Sequence, residues 1–306
     1  MKILLTGSSG LLGGNLCRLF FTNGIHEILA TQGSNFKLPS WFALGHQTQM
    51  LNLSYETDLW NIVSQWKPEC IIHTAAMSDP VTCEIKPAEA EIINRFSTLS
   101  LAKICGLFGT KLIYISTDLV FDGEKGMYSE TDETHPISIY AQTKLDGELA
   151  VQTYCESYTI LRTTIMLGHS PRATRGVNEQ LLNAYREGKS IKFFADEYRT
   201  PISASTVAKV ALEFSIGSLR EVSGIFHTVG NERLSRFQFG AKVCKSLSIP
   251  ESAYQSVLLS EIISIPPRPK DCSLSNNKLK SILPFSIPSI EEEIEGILKE
   301  KPPSLS

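Results

Sequence analysis

The chain has 306 residues, of which 42% are hydrophobic, enough for one large core or for a main domain with a smaller partner. A formal net charge of -3 and the lack of a dense basic run argue against nucleic-acid binding. The apolar runs are too short to span a bilayer, and the first begins at Lys2, which leaves no room for a secretory leader. Seven scattered cysteines form no CxxC pair or Cys/His cluster, so we expect buried thiols, no metal site and a cytoplasmic location.

Short β-branched runs alternate with longer segments of helical spacing through the first half of the chain. This alternation predicts parallel strands joined by right-handed crossovers, hence an α/β fold with a doubly wound parallel sheet. The predicted strands are 2–6, 27–31, 50–53, 70–74, 111–116, 158–162 and 224–228. The predicted helices are 11–22, 58–65, 88–108, 140–154, 235–247 and 291–299.

After residue 162 the alternation loosens, which indicates a second structural unit. Residues 167–177 are rich in Gly, Pro, Arg and Ser and predict a long loop of the kind that is often functional. We predict a modified Rossmann domain over 1–164, to which the chain returns near 202–228. Residues 165–300 are then mainly a smaller C-terminal α/β substrate domain, and 301–306 a flexible tail.

A glycine-rich turn follows the first predicted strand, with the spacing Gly7-x-x-Gly10-x-x-Gly13. Gly7 permits a tight turn, Gly10 lets the backbone approach a pyrophosphate, and Gly13 lets the next helix pack closely on the strand. The helix N-terminus offers free N–H groups and a positive dipole end to phosphates. A strand before this turn and a helix after it are the context in which such a motif binds a dinucleotide.

The end of the second predicted strand bears on the choice of cofactor. NAD enzymes usually place a carboxylate there to bind the ribose 2′-hydroxyl, whereas this chain reads TQGSNFK over residues 31–37. NADP(H) is therefore favoured and NAD(H) remains possible. A second interpretation, that Lys37 is an ordinary solvated loop residue, stays open.

A tyrosine and a lysine lie one helical turn apart in the segment Tyr140-x-x-x-Lys144. Carbonyl reduction needs a proton at the oxygen, and a free tyrosine with a pKa near ~10 exchanges protons poorly at neutral pH. A nearby ammonium stabilises the phenolate, so we expect Lys144 to lower the pKa of Tyr140. Thr117, just past a predicted strand, is placed to hold the substrate oxygen. Alone, the pair has the spacing of an ordinary helix surface pair.

Residues 116–123, STDLVFDG, followed by Tyr140-x-x-x-Lys144, resemble the extended short-chain dehydrogenases. Within them the sequence is most similar to the dTDP-4-dehydrorhamnose reductase family. The likeness covers nearly the whole chain and includes the segments 75–77, 161–163, 199–201, 227–239 and 268–274.

The resemblance implies NADPH-dependent reduction of the 4-keto group of a nucleotide-linked 6-deoxyhexulose, dTDP-4-dehydro-L-rhamnose being the nearest candidate. The implied catalytic set is Thr117, Tyr140 and Lys144, with Asn94 supporting the lysine through water. The predicted cofactor residues are Gly7, Ser9, Gly10, Leu11, Leu12, Gly13, Asn52, Leu53, Ala75, Ala76, Met77, Tyr140 and Lys144. The predicted substrate residues are Thr117, Asp118, Ile165, Asn178 and Arg268.

The chain departs from the family pattern at several of these positions. Asn52 stands where an aspartate commonly meets the adenine, although an amide oxygen can accept the same hydrogen bond. Ser138 and Ala141 replace the asparagine and glycine usual around the tyrosine. Ile165 replaces a tryptophan that packs near the substrate, which bears on the identity of the sugar.

Two further classes of function stay open. A nucleotide-sugar epimerase or dehydratase has the same fold but keeps its cofactor bound. A non-catalytic regulatory subunit, like that of methionine adenosyltransferase, also resembles this family, and a homodimer is possible. The remaining polar residues have structural interpretations: His73 and His227 as buried strand-end groups, and Arg172 and Arg175 as solvated loop residues unless they contact a diphosphate.

Overall fold

The computed structural model describes residues 1–23, 27–33 and 47–300. The strands are β1 Lys2–Thr6, β2 Glu27–Gln32, β3 Gln47–Met50, β4 Cys70–His73, β5 Lys111–Thr117, β6 Tyr158–Thr163, β7 Met166–Leu167, β8 Ile191–Phe194, β9 Tyr198–Arg199, β10 Ile202–Ser203, β11 Gly224–His227, β12 Leu234–Ser235 and β13 Tyr254–Val257. The α-helices are α1 Leu11–Asn23, α2 Glu56–Trp66, α3 Pro80–Ile85, α4 Pro87–Ala90, α5 Ser97–Phe108, α6 Ile139–Tyr154, α7 Val177–Arg186, α8 Ala204–Ser215, α9 Arg236–Ser246, α10 Asn277–Lys280 and α11 Ile290–Lys299. A π-helix, Glu91–Phe96, joins α4 to α5.

The main sheet has seven parallel strands in the order β11-β6-β5-β4-β1-β2-β3. The chain runs outward from β1 to β3 and then crosses back to β4, so the order reverses between β1 and β4. In sheets of this type, ligands bind at the carboxyl ends of the strands beside such a reversal. The predicted doubly wound parallel sheet is confirmed.

Apolar helices cover both faces of this sheet, as a parallel sheet requires. On one face α1 and α8 pack together, with Leu16, Phe20 and Phe214 buried against β1. On the other face Leu59 of α2 and Leu101 of α5 cover the same strands. The described part of the chain contains no helix that is both long and apolar enough to cross a membrane.

The predicted strand 50–53 is wrong by three residues, because the observed strand β3 is Gln47–Met50. β3 is the edge strand, and all four of its residues are exposed. The apolar signal belongs instead to the turn after it, where Leu51 is buried and Leu53 packs against the core. The hydrophobic pattern therefore indicated the segment that enters the core, and it did not indicate the segment that pairs with β2.

The predicted continuous helix 88–108 is interrupted by the π-helix, whose extra residue per turn is common at functional sites. The predicted helices 235–247 and 291–299 correspond to α9 and α11. Together with α7 and β8 they enclose a second apolar cluster that contains Phe193, Phe239 and Ile294. Residues 301–306, the predicted tail, lie outside the described residues.

Candidate active site

The candidate site lies at the carboxyl end of β5, where that strand meets the first turn of α6. Thr117 is the last residue of β5. α6 begins at Ile139 because the Ser138 hydroxyl caps it, accepting a hydrogen bond from the Ala141 N–H at 3.2 Å. This cap fixes Tyr140 in the first turn and Lys144 one turn later, on the side of α6 that faces β5.

Lys144 is buried, and its ammonium is held on two sides by β5. Its Nζ donates to the Ile115 carbonyl at 2.6 Å and lies 4.0 Å from the centre of the Tyr114 ring. Burial lowers the pKa of Lys144 to about 7, and the Glu148 carboxylate on the same helix opposes that fall. The lysine is thus poised to change its charge near neutral pH.

The Tyr140 and Thr117 side chains lie next to each other, the arrangement expected of a carbonyl-reducing site. The Tyr140 side chain is half-buried. Burial raises the pKa of this phenol, the neighbouring Thr117 hydroxyl lowers it, and the Asp118 carboxylate raises it further. The pKa of Tyr140 is therefore above its usual value, opposite to the lowering expected from the sequence.

Asp118 forms the wall of the site next to Thr117. Its carboxylate accepts hydrogen bonds from Thr117 Oγ1 at 3.1 Å and Thr164 Oγ1 at 2.6 Å, and lies 3.3 Å from Arg199 Nε. Burial raises the pKa of Asp118, although Arg199 and the two hydroxyls counteract it. The protein itself thus engages both carboxylate oxygens, and the predicted contact of Asp118 with the sugar stays a prediction.

Arg268 joins this site through a buried ion-pair chain that the sequence did not indicate. Its guanidinium donates to both oxygens of Glu197, at 2.6 and 3.1 Å. Glu197 also pairs with Arg199 at 3.2 Å, and Arg199 reaches Asp118. Burial raises the pKa of Glu197, but Arg199 and Arg268 outweigh it and hold the pKa below its usual value. Arg268 is partly exposed, so the other edge of its guanidinium can meet solvent or ligand.

The other two predicted substrate residues have different surroundings. Asn178 is buried, and its amide oxygen accepts a hydrogen bond from the Gly168 N–H at 2.9 Å. This contact gives Asn178 a structural role at the start of the 168–176 loop. Ile165 is half-buried and packs against the second apolar cluster. Arg172 and Arg175 are exposed on the same loop.

The glycine-rich turn after β1 fits the pyrophosphate of a dinucleotide. A Cβ at Gly7 would lie 2.7 Å from the Ala75 nitrogen, and one at Gly13 would lie 2.8 Å from the Gly7 carbonyl carbon. Only glycine lets these segments approach so closely. The first-turn N–H groups of α1, at Leu11, Leu12 and Gly13, have no carbonyl one turn earlier within the helix and are available to an anion.

The 75–77 segment is held beside this turn by hydrogen bonds that the sequence did not predict. The Ala75 N–H donates to Thr6 Oγ1 at 3.3 Å. Asn94 accepts from the Met77 N–H at 2.8 Å and donates to the Met77 carbonyl and to Thr143 Oγ1, each at 3.1 Å. Asn94 thus contacts Met77 directly, and its support of Lys144 through water stays a prediction.

The outer part of the predicted cofactor site is only partly described. Asn52 is exposed, and its side chain accepts from the Ser54 N–H at 3.0 Å, which closes the turn after β3. Leu53 lies in that turn. Gln32 ends β2 and contributes no carboxylate, in keeping with the sequence. Lys37 lies outside the described residues.

The histidines have the structural surroundings that the sequence predicted. His73 is buried between Thr6 Oγ1 at 2.7 Å and Thr98 Oγ1 at 3.2 Å, and burial lowers its pKa to about 3. His227 Nδ1 faces the Tyr128 carbonyl at 3.1 Å. All seven cysteines are free and buried.

A seven-stranded parallel sheet, a glycine turn after β1 and a hydroxyl–tyrosine–lysine set at the end of β5 define an extended short-chain dehydrogenase/reductase. A family model described as the RmlD substrate binding domain matches residues 1–302. The chain therefore belongs to that family, as its sequence motifs predicted.

Individual relatives are similar over nearly the whole chain. The beta subunit of methionine adenosyltransferase 2 from Xenopus laevis is 29% identical, with 98% of this chain and 89% of the relative covered. The probable low-salt glycan biosynthesis reductase Agl14 of Haloferax volcanii is 27% identical, with 97% of each covered. The crystal structure of dTDP-4-dehydrorhamnose reductase from Bacillus anthracis in complex with NADP superposes with a TM-score of 0.84 at 25% identity, covering 98% of this chain and 99% of that one.

Proposed function

We propose that this protein is a cytoplasmic sugar-nucleotide reductase that reduces the 4-keto group of a nucleotide-linked 6-deoxyhexulose, with dTDP-4-dehydro-L-rhamnose as its substrate. The observation that carries the proposal is the placement of Thr117 at the end of β5 beside Tyr140, with the Lys144 ammonium one turn further along α6. Family membership and the similarity to dTDP-4-dehydrorhamnose reductase support it.

The nicotinamide cofactor, when bound, supplies the hydride for the sugar C4. In this proposal the glycine turn holds the phosphates of the cofactor, and the 75–77 segment holds its nicotinamide half. Tyr140 donates the proton to the sugar oxygen, and Thr117 positions that oxygen through its hydroxyl. The Lys144 ammonium stabilises the phenolate that Tyr140 leaves behind. Arg268 faces the diphosphate with the edge of its guanidinium that Glu197 does not occupy.

The cofactor in this proposal is NADP(H). Gln32 and the residues after it place no carboxylate against a ribose 2′-phosphate. Dissociation constants measured by fluorescence titration should be lower for NADPH than for NADH, and Lys37→Glu should narrow or reverse the difference. Equal constants in the wild-type protein would refute the preference.

The substrate is tested by turnover of a panel of nucleotide-linked 4-ketosugars with NADPH. We expect reduction of dTDP-4-dehydrorhamnose, and a lower KM in Ile165→Trp because the indole restores apolar contact with the sugar or its base. If the protein reduces another ketosugar but not dTDP-4-dehydrorhamnose, the proposed reaction stands and the proposed substrate is wrong. A nucleotide-sugar epimerase or dehydratase would purify with its dinucleotide bound and turn over without added NADPH.

A regulatory subunit is the second candidate, because the beta subunit of methionine adenosyltransferase 2 is among the most similar relatives. The two functions differ in their dependence on Tyr140. A reductase loses turnover in Tyr140→Phe, whereas a regulatory subunit reduces no ketosugar and raises or lowers the activity of a methionine adenosyltransferase added to it. Measuring both activities on one preparation separates the candidates.

A further inference from the structure

Glu148 is a buried carboxylate on α6 that no part of the proposed chemistry has used. It lies one turn after Lys144 and two turns after Tyr140, so the three side chains share one face of the helix. Its side chain is fully buried. A carboxylate in that position is tolerated only when partners compensate for its lost hydration.

Two neighbouring strands supply those partners. Ser116 Oγ of β5 donates to Glu148 Oε1 at 2.5 Å. Arg162 of β6 donates to Oε1 through Nε at 3.0 Å and to Oε2 through Nη2 at 2.7 Å, a two-pronged contact that fixes the plane of the carboxylate. Ser116 and Arg162 together fix the position of the Glu148 carboxylate.

Arg162 is itself fixed by a histidine whose protonation state follows from its surroundings. His227 Nδ1 faces the carbonyl oxygens of Tyr128 at 3.1 Å and Ser275 at 3.2 Å, so Nδ1 carries the hydrogen. Nε2 is then an acceptor, and Arg162 Nη1 lies 3.5 Å from it. Burial and Arg162 lower the pKa of His227 to about 3, so the ring is neutral.

Most groups around Lys144 carry no charge. Burial raises the pKa of Tyr114 and Tyr140 and lowers the pKa of His73 to about 3, so all three are neutral near pH 7. The other neighbouring elements contribute Asn94 and Thr98 of the π-helix and α5, Cys83 of α3, and Asp118, which is paired with Arg199. Among these groups the Glu148 carboxylate is the one that favours the charged form of Lys144.

We propose that Glu148 is a positioning residue that favours the charged form of Lys144 on the helix face shared with Tyr140. Ser116 and Arg162 hold Glu148 for this role, and His227 contacts Arg162 in turn. The proposal deepens the proposed reductase function and rests on it only where turnover is measured. It assigns a role in the site to a carboxylate that touches neither substrate nor cofactor.

The test is the titration of Lys144 in the ligand-free protein, followed by NMR of 13C-labelled lysine and assigned by the signal lost in Lys144→Arg. Glu148→Gln should lower the midpoint by about one to two pH units, because a carboxylate one turn away contributes that much in a partly dry site. Asp146→Asn removes the same charge from an outward position on α6, beside Arg95, and should leave the midpoint unchanged. Glu148→Asp should restore most of the wild-type midpoint.

Glu148→Gln leaves Arg162 buried without its counter-charge, so the double variant Glu148→Gln/Arg162→Met serves if the single one does not fold. In the double variant the midpoint should still fall, but by less, because Glu148 is the charge that acts on the pKa of Lys144 and the loss of the Arg162 charge partly offsets its removal. An unchanged midpoint in whichever of these variants folds overturns the proposal. In turnover assays Glu148→Gln should lose about tenfold at pH 7 and recover below pH 6. If the wild-type protein reduces no ketosugar while the midpoint falls as expected, the proposed function fails and the role of Glu148 stands.

Discussion

Tyr140 is the residue on which the proposed chemistry depends most directly. Tyr140→Phe removes the proton that the reaction needs while the ring keeps its packing. We expect kcat to fall by about 10²–10⁴, the usual contribution of a positioned acid, with cofactor affinity and melting temperature unchanged. Tyr154→Phe, at the exposed end of the same helix, is the matched control and should keep full activity. A Tyr140→Phe protein with wild-type turnover would remove this tyrosine from the mechanism.

The buried Lys144 side chain should lower the free energy of unfolding of the protein. In the folded protein the pKa of Lys144 is about 7, whereas the ordinary pKa of lysine is 10.5. Between these two pH values the unfolded chain therefore binds one more proton than the folded protein does. Wild-type stability therefore rises with pH across that window and is lowest below it. Lys144→Met should raise the free energy of unfolding by about 1–3 kcal/mol at pH 6 and by less at pH 9, while turnover is lost.

Urea denaturation at the two pH values measures this difference. Lys103→Met replaces an exposed lysine on α5 and should change the free energy of unfolding by no more than about 0.5 kcal/mol at either pH. A stability gain in the Lys144→Met protein that is equal at pH 6 and pH 9 would mean that the effect comes from packing and not from the buried charge.

At the scale of the element, α6 can lie close to β5 only because Gly147 has no side chain. A Cβ there would lie 2.8 Å from Cζ of Tyr114, whose ring supports the Lys144 ammonium and whose hydroxyl donates to the Lys144 carbonyl at 3.3 Å. Gly147→Ala should therefore destabilise the protein by about 1–3 kcal/mol and reduce turnover as well. Gly296→Ala, in α11 with open space around it, should instead stabilise by up to about 1 kcal/mol. Equal effects of the two substitutions on the denaturation midpoint would contradict this account.

The central strands and their flanking helices could be predicted from the sequence, because the pattern of hydrophobic residues there agrees with their burial in the structure. β1, β4 and β5 are continuous apolar runs, and such runs are typical of strands that are covered on both faces. The prediction was wrong where hydrophobic pattern and burial disagree, as at the exposed edge strand β3. It also gave no sign of the π-helix, in which Asn94 contacts Met77.

At the scale of the whole molecule, sequence motifs predicted the candidate catalytic groups but not the groups that hold them in place. Thr117, Tyr140 and Lys144 lie near one another in the chain and carry a recognisable spacing. Arg199 and Glu148 pair with residues on other elements, Asp118 and Arg162, and no local sequence pattern connects the members of these pairs. Buried ion pairs of this kind become visible only when the strands are placed side by side.

Asn15 connects α1 to the 168–176 loop, because its amide donates both to the Leu11 carbonyl of α1 at 2.8 Å and to the His169 carbonyl of the loop at 3.0 Å. The far side of that loop is held by α7, where Asn183 donates to the Ala173 carbonyl at 3.0 Å. Asn15→Ala should therefore raise the KM of both cofactor and sugar nucleotide by about tenfold, the equivalent of one lost buried hydrogen bond, with kcat nearly unchanged. Asn183→Ala loosens the loop without touching α1, so it should raise the KM of the sugar nucleotide alone. Steady-state kinetics with each substrate varied in turn measures both effects. An Asn15→Ala protein in which only one KM rises would show that the loop and α1 are not coupled.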